Sequence, residues 1–381
     1  FQLVHCVITS LSCAAVYLVA QRFDEKAAPV AGFLFAVYPA NIIYSQVTSN
    51  QHVGVLFTLL AVWLLLGALG ARKLWKAALL ALFSGISLLI SQYAHPSTTP
   101  TLIAFSLYWL TLFLSAWKRK KEWIGLLCVA AAFALGLCGG RALANAGMDT
   151  VGLREGTKGP NSSYLAKVVI GLNPETCGAY SESDWGMIWS VPAEEQNELC
   201  LSVIRERLQQ DDLWGLFDTK ILRAWMVKDN SFSWATTGLS AQAGEVQAAG
   251  AESAVRDEQL ALLDRFLTAY KLMDFFYVAA VFLFAWIGVF LRRRKSGGSD
   301  LILWIVLGWM GVHLLIEIQT RYRYLAMPFL MIFAAMGLMR LFGALGRLSR
   351  GKHKAVSAPY ASCERADESA RSAAQSDRPS D

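Results

Sequence analysis

The sequence predicts an all-α polytopic membrane protein, and three observations carry that prediction. Hydrophobic residues make up 55% of the 381 residues and charged residues only 17%, with a mean hydropathy of +0.39. This is not the balance of an ordinary soluble domain. The apolar residues come in runs near the length of about 20 that one helical crossing needs. Basic residues sit in short clusters beside those runs, a pattern of loops held on one side of a bilayer and not of a nucleic-acid surface. Thirteen Trp fit interfacial anchors.

About nine crossings are expected. Seven runs are long, at residues 1–20, 50–70, 99–117, 123–140, 273–291, 301–318 and 324–341. Two are weaker: 27–38 is short and stops at Pro39, and 77–94 carries Ser84, Ser87 and Ser91. Such spans are tolerated where they face other protein and not lipid. Arg22 and Lys26, Arg72, Lys73 and Lys76, the cluster 118–121, the cluster 292–295 and the basic residues of 347–354 occupy alternate loops. The positive-inside rule assigns these to the cytoplasm. Loops 38–49, 95–100, 144–265 and 319–323 then lie outside, which divides the chain into four parts. These are a transmembrane core (1–143), an extracytoplasmic loop domain (144–265), C-terminal transmembrane helices (266–346) and a disordered cytoplasmic tail (347–381). Phe1 already belongs to an apolar run, so the natural chain is expected to begin further upstream.

The 144–265 segment carries a net charge of −8, leaving +14 for the rest of the chain. An amphipathic helix is expected from Ser190 to about Gln210, with Leu199, Ile204 and Leu208 on one face. Trp214, Leu216, Phe217, Ile221, Leu222 and Trp225 suggest a second helix. Residues 238–254, rich in Ala, Gly, Gln and Ser, read as a mobile loop. Cys6, Cys13, Cys128 and Cys138 are expected as buried packing residues, and Cys177 and Cys200 share a compartment where a disulfide is permitted. No cysteine or histidine spacing resembles a zinc site, no cofactor is implied, and there is no internal repeat. Nucleotide-loop, GxSxG and HExxH patterns are absent.

Unusual polar residues concentrate on the outer side. Tyr44, Gln51 and His52 lie between the second and third crossings, His95 between the fourth and fifth, Arg321 and Arg323 between the last two. Charges at membrane depth are costly, so two arginines at the mouth of apolar helices either meet an anion such as a phosphate or snorkel toward headgroups. His313, Glu317 and Arg321 stand four residues apart, hence on one helical face. There, Glu317 either holds the guanidinium for a ligand or forms an ion pair that lets the helix end be buried. The gathered polar positions suggest one outward cavity for a ligand with an apolar tail and a polar head.

The order Ala36-Val37-Tyr38-Pro39, Ile42-Ile43-Tyr44-Ser45-Gln46 and 48–52, then 169–173 (Val-Ile-Gly-Leu-Asn) with Gly178 and Asp184, then Arg321-Tyr322-Arg323-Tyr324-Leu325-Ala326-Met327-Pro328 resembles GT-C-fold membrane glycosyltransferases. The bacterial dolichyl-phosphate-mannose–protein mannosyltransferase-like group is the nearest in pattern, with the aminoarabinose transferases more distant. The resemblance implies inverting transfer of a sugar from a polyprenyl-phosphate donor to an extracytoplasmic acceptor: protein, lipid or wall polymer. It assigns Arg321 and Arg323 to the donor phosphate, and Tyr44, Gln51, His52, His95 and Glu317 to the substrate pocket. It gives Trp185 and Trp189 a covering role, and places the acidic base in an outer loop ahead of Phe1, so this stretch alone is expected to be inactive. Gln51 stands where many relatives carry Glu, and a Gln only hydrogen-bonds. Two other readings compete: a polysaccharide ligase or polymerase with a lipid-diphosphate donor, which would want more outer arginines, and a transporter or flippase, which would want paired related halves.

Overall fold

The computed structural model describes residues 2–45, 47, 49–95, 99–152, 163–226, 253–291 and 298–346. Gln46, Thr48, residues 96–98, most of the Ala/Gly-rich stretch, the basic cluster 292–295 and the 347–381 tail lie outside them. Every regular element among the described residues is helical. In chain order these are α1 (Gln2–Gln21), α2 (Ala28–Ala36), α3 (Pro39–Tyr44), α4 (Gln51–Leu69), α5 (Leu74–Ala94), α6 (Thr99–Ala116) and α7 (Lys120–Ala134). A π turn (Leu135–Gly139) runs on into α8 (Gly140–Thr150). Then come α9 (Ser163–Gly171), α10 (Glu182–Trp189), α11 (Gln196–Leu208), α12 (Leu213–Ile221) with a second π turn (Leu222–Met226), α13 (Ser253–Phe290), α14 (Ser299–Leu315), a 3-10 segment (Thr320–Leu325) and α15 (Met327–Gly346).

Among the described residues, seven helices are long and apolar enough to cross a membrane; α14, at 17 residues, is shorter. The 27–38 run forms only the nine-residue α2, about 13 Å of rise against a hydrocarbon core of about 30 Å. Pro39 breaks it and cannot donate to the Phe35 carbonyl one turn back. The Asn41 side-chain amide supplies that hydrogen bond at 3.0 Å. Tyr270 fastens the same break from α13 by donating to the Pro39 carbonyl at 2.5 Å, and Tyr277 donates to that of Leu34.

The bundle is apolar outside as well as inside, as lipid contact requires. Leu3, Phe33, Trp75, Leu114, Leu135 and Trp286 are all more than half exposed, while Ser84, Ser87 and Ser91 face inward and are buried. Ser84 donates to the Ala61 carbonyl (2.7 Å), Ser91 to that of Gly54 (2.9 Å), and Thr58 meets Ser91 at 2.8 Å. These hydroxyl bonds join α5 to α4, the role small polar residues play where lipid offers no hydrophobic drive. Close backbone approach supplies the rest. A Cβ on Gly85 would overlap the Phe133 carbonyl and one on Gly136 that of Leu82; the same reciprocal relation joins Gly288 to Phe333 and Gly337 to Phe284. The π turn begins beside Gly136, where α7 passes α5.

Between the two sets of long helices, α9 to α11 form a small cluster over Ala166, Val169, Ile188 and Cys200, and α12 packs against α14 beside it. The helix expected from Ser190 begins at Gln196, after the turn around Pro192. Its inward face is Gln196, Cys200, Val203 and Ile204, while Leu208 is 44% exposed. Cys6, Cys128 and Cys138, expected to be buried, are exposed on the outside of the bundle, where the surface is apolar and a thiol is no worse placed than another small apolar residue, and Cys13 is half-buried. Cys177 and Cys200 are both free thiols: Cys200 is buried under α9, and Cys177 occupies a left-handed turn position, φ 52°, followed by Gly178 at φ 74°.

Candidate functional site

Two of the segments that carry the resemblance meet directly, although 283 positions separate them. The Tyr324 hydroxyl donates to Asn41 Oδ1 at 2.7 Å, and the Tyr324 ring packs edge-on against Tyr44 at 5.6 Å between centroids. Asn41 is oriented by its bond to Phe35, so its oxygen must be the acceptor. His52 joins them from the start of α4. Its Nε2 lies 2.8 Å from the Tyr44 carbonyl, which only accepts, so Nε2 carries a proton. Nδ1 faces Tyr324 Oη at 3.1 Å and Thr9 Oγ1 at 3.4 Å. With the Tyr324 proton committed to Asn41, Thr9 is the group that donates to Nδ1. The His5 ring lies beside that of His52, 5.3 Å between centroids with the planes inclined at 57°. Tyr44, Gln51 and His52 are all buried, so three elements fix this corner before any ligand arrives.

Both arginines follow on the 3-10 segment. Arg323 is 2% exposed and pairs with the fully buried Asp274 of α13, Nη2 to Oδ2 at 3.3 Å, while Nη1 donates to the Trp225 carbonyl at 3.2 Å. The Arg321 guanidinium lies over the Tyr322 ring, 5.7 Å from its centroid, and Tyr322 stacks on His313 with the planes 9° apart. Arg321 is close enough for its field to act on both Tyr44 and His95, and the charges of Arg323 and Asp274 also act on Tyr44. Burial and then the Arg321 charge push the His95 imidazole down to about 4. It is therefore neutral at pH 7 and able both to donate and to accept. The 38–45, 95 and 319–325 segments thus converge on one end of the bundle.

Glu317 does not share a helical face with His313 and Arg321. α14 ends at Leu315, and Ile316 is extended at φ −92°, ψ 167°, because the chain here leaves the helix to pair with the small cluster. Glu317 N–H donates to the Lys167 carbonyl and Ile318 N–H to that of Gly178, each at 2.8 Å. A Cβ on Gly171 would overlap Ile316 and Leu315, so only glycine allows this approach. The Glu317 carboxylate pairs with Lys167 and accepts from the Gln319 amide. Lys167 in turn lies 5.4 Å from the Trp185 ring centroid, with Trp189 packed beside Trp185 and 61% exposed.

The third segment of the resemblance is the hub of the small cluster. Asn173 Oδ1 accepts from the Glu175 N–H (2.9 Å) and its amide donates to Asp184 Oδ2 (2.9 Å). Arg207 grips Asp184 with both nitrogens, at 2.8 and 2.9 Å, and donates to the Val169 carbonyl at 2.6 Å. Burial alone would raise the Asp184 carboxyl, but the hydrogen bonds from Arg207 and Asn173 outweigh it and hold the group below its usual 3.8. Lys220, 1% exposed, reaches the carbonyls of Gly171 (2.5 Å), Leu314 (2.7 Å) and Ile316 (3.0 Å). Burial pushes this ammonium down to about 7, and three acceptors for three protons oppose the loss.

Asp274, Asn41, Lys167 and Lys220 escaped sequence reasoning. Asp274 did leave a signal, a carboxylate at the edge of an apolar run, which is rare without a function or partner. Among the described residues no cluster of His, Cys, Asp and Glu is arranged to hold a metal ion. No protein-family model, curated protein or solved structure matches this chain.

Proposed function

We propose that the protein is an integral membrane glycosyltransferase that moves a sugar from a polyprenyl-phosphate carrier to an acceptor outside the cytoplasm. The single observation that supports this most is the junction of Tyr44 and Asn41 with Tyr324, beside Arg321, Arg323 and His95. Arg321, Arg323 and Asp274 together carry a net charge of +1. A polyprenyl-phosphate sugar is a monoanionic phosphodiester, and breaking its glycosidic bond builds further negative charge on the departing phosphate. Guanidinium groups held in place beforehand stabilise that developing charge more than the ground state, which is what accelerates the step. A diphosphate carrier would bring more charge than this cluster balances. Neutral His95 suits hydrogen bonding to sugar hydroxyls, and Gln51 at the start of α4 would do the same.

The nearby carboxylates Asp274 and Glu317 are each ion-paired. A carboxylate held in an ion pair is a weak base, so neither is assigned the task of deprotonating the acceptor. In this reading the protein lies in the plasma membrane with α9–α12 outside and the 347–381 tail inside. Nine crossings result when α2 and α3 cross as one broken unit and α14 crosses as a short helix. Trp185 and Trp189 belong to the acceptor side.

The test is release of polyprenyl phosphate from a labelled polyprenyl-phosphate sugar in membranes containing the complete protein. Arg321→Ala should slow release about a hundredfold or more; unchanged release removes the phosphate role. A buried acid–base pair such as Asp274–Arg323 also occurs in ion-coupled carriers. That second reading predicts movement of the intact lipid sugar across vesicles without release of the phosphate.

A further inference from the structure

At the opposite end of the bundle lies a cavity of about 930 Å³ between the ends of α1, α4, α5, α6 and α7. It is remote from the site above: His52 opens α4 and Leu66 stands near its end, so the helix puts about 20 Å between them. The mouth carries Arg22, Arg72, Arg119 and Lys121 against the single carboxylate of Glu122. Arg119 pairs with Glu122 at 2.9 Å, whereas no ion pair joins Arg22, Arg72 or Lys121 to a described carboxylate. Arg22 is placed by apolar partners: its guanidinium lies 5.4 Å from the Trp63 ring centroid and close over Gly67, where a Cβ would stand 3.2 Å from Nη2. Below the mouth the lining turns apolar, with Leu112 and Tyr108 from α6 facing Leu126 and Val129 from α7. From Ala116, where α6 ends just before Arg119, down to Tyr108 is about 12 Å along the helix axis, the length of a good part of an acyl chain.

We propose that this cavity binds one anionic glycerophospholipid, with the phosphate among Arg22, Arg72 and Lys121 and an acyl chain along the Leu112–Val129 slot. A basic mouth over an apolar slot between membrane helices is the chemistry that selects an anionic headgroup joined to a hydrocarbon tail. A soluble phosphate compound would use the mouth and leave the slot without a partner. The site stands independently of the transferase reading, because none of its residues contributes to the other end of the bundle.

Native mass spectrometry of the complete protein in a neutral detergent tests the assignment. Phosphatidylglycerol should form a one-to-one adduct at least about tenfold stronger than phosphatidylcholine. The double variant Arg22→Gln with Arg72→Gln should lose about tenfold or more, and Leu112→Trp, which fills the slot and keeps the charges, should abolish the adduct. The charge variant changes only exposed side chains, so its unfolding temperature without lipid should match the parent and its loss of adduct decides the matter if Leu112→Trp does not fold. Equal binding of phosphatidylcholine, or an adduct that survives the charge variant, overturns the proposal. So does glycerophosphoglycerol binding as tightly as the lipid, which would assign the mouth to a soluble phosphate compound.

Discussion

Removing one member of the Asp274–Arg323 pair should destabilise the bundle far more than removing both. Asp274 is fully buried and Arg323 is 2% exposed, with 3.3 Å between Nη2 and Oδ2. At an effective dielectric constant of about 20 that separation corresponds to about 5 kcal/mol of attraction, and withdrawing the two charges from water costs a similar amount. The intact pair therefore contributes little net. Asp274→Leu, however, strands a buried guanidinium, and Arg323→Met strands a buried carboxylate, each at a cost of about 3–5 kcal/mol. The double variant leaves no orphan charge and should cost only about 1–2 kcal/mol, chiefly the hydrogen bond to the Trp225 carbonyl. Reversible unfolding of the purified protein in mixed micelles, followed by circular dichroism, gives the four free energies of the cycle. A coupling near zero, with the double variant as damaged as the sum of the singles, would refute the pairing. The same proteins separate packing from chemistry, since the double variant should stay folded yet lose polyprenyl-phosphate release. Retained release would take Arg323 out of the phosphate site.

Two further outcomes concern the helices α9 to α12. The folded-state value of Asp184 is depressed, so its contribution is complete above the unfolded value of about 3.9 and disappears as pH falls through the lower folded one. The unfolding temperature should hold from pH about 7 to about 5 and drop below about 4, whereas Asp184→Asn starts lower and lacks that acid limb. Lys220→Met leaves the carbonyls of Gly171, Leu314 and Ile316 without their shared donor. It should cost about 2–3 kcal/mol, with faster amide exchange at residues 171–178 as the local readout.

The long spans were legible because a run of about 20 apolar residues announces itself whatever its neighbours are. Their polar extensions were not. α13 starts at Ser253, some 20 residues before the run at 273, because Ala, Leu, Arg, Asp and Glu sustain a helix that hydropathy does not register. The apolar run 301–318 is unbroken in sequence, yet the helix stops at Leu315, where two backbone hydrogen bonds to residues 167 and 178 compete with the next turn. No local pattern encodes such a long-range rival. Lys220, in Asp218-Thr219-Lys220, looks like a surface lysine; its burial depends on carbonyls 49, 94 and 96 positions away. Conversely, Pro39 did mark the break in α2, and the three serines of α5 did mark its protein-facing side.

The two main-chain bonds at Glu317 and Ile318 have a mechanical result. The segment bearing Arg321 and Arg323 is sewn to the same small cluster that carries Trp185, with only Gln319 and Thr320 between the last of these bonds and Arg321. A displacement of the cluster is therefore passed through the main chain to the two arginines, and neither can be repositioned alone.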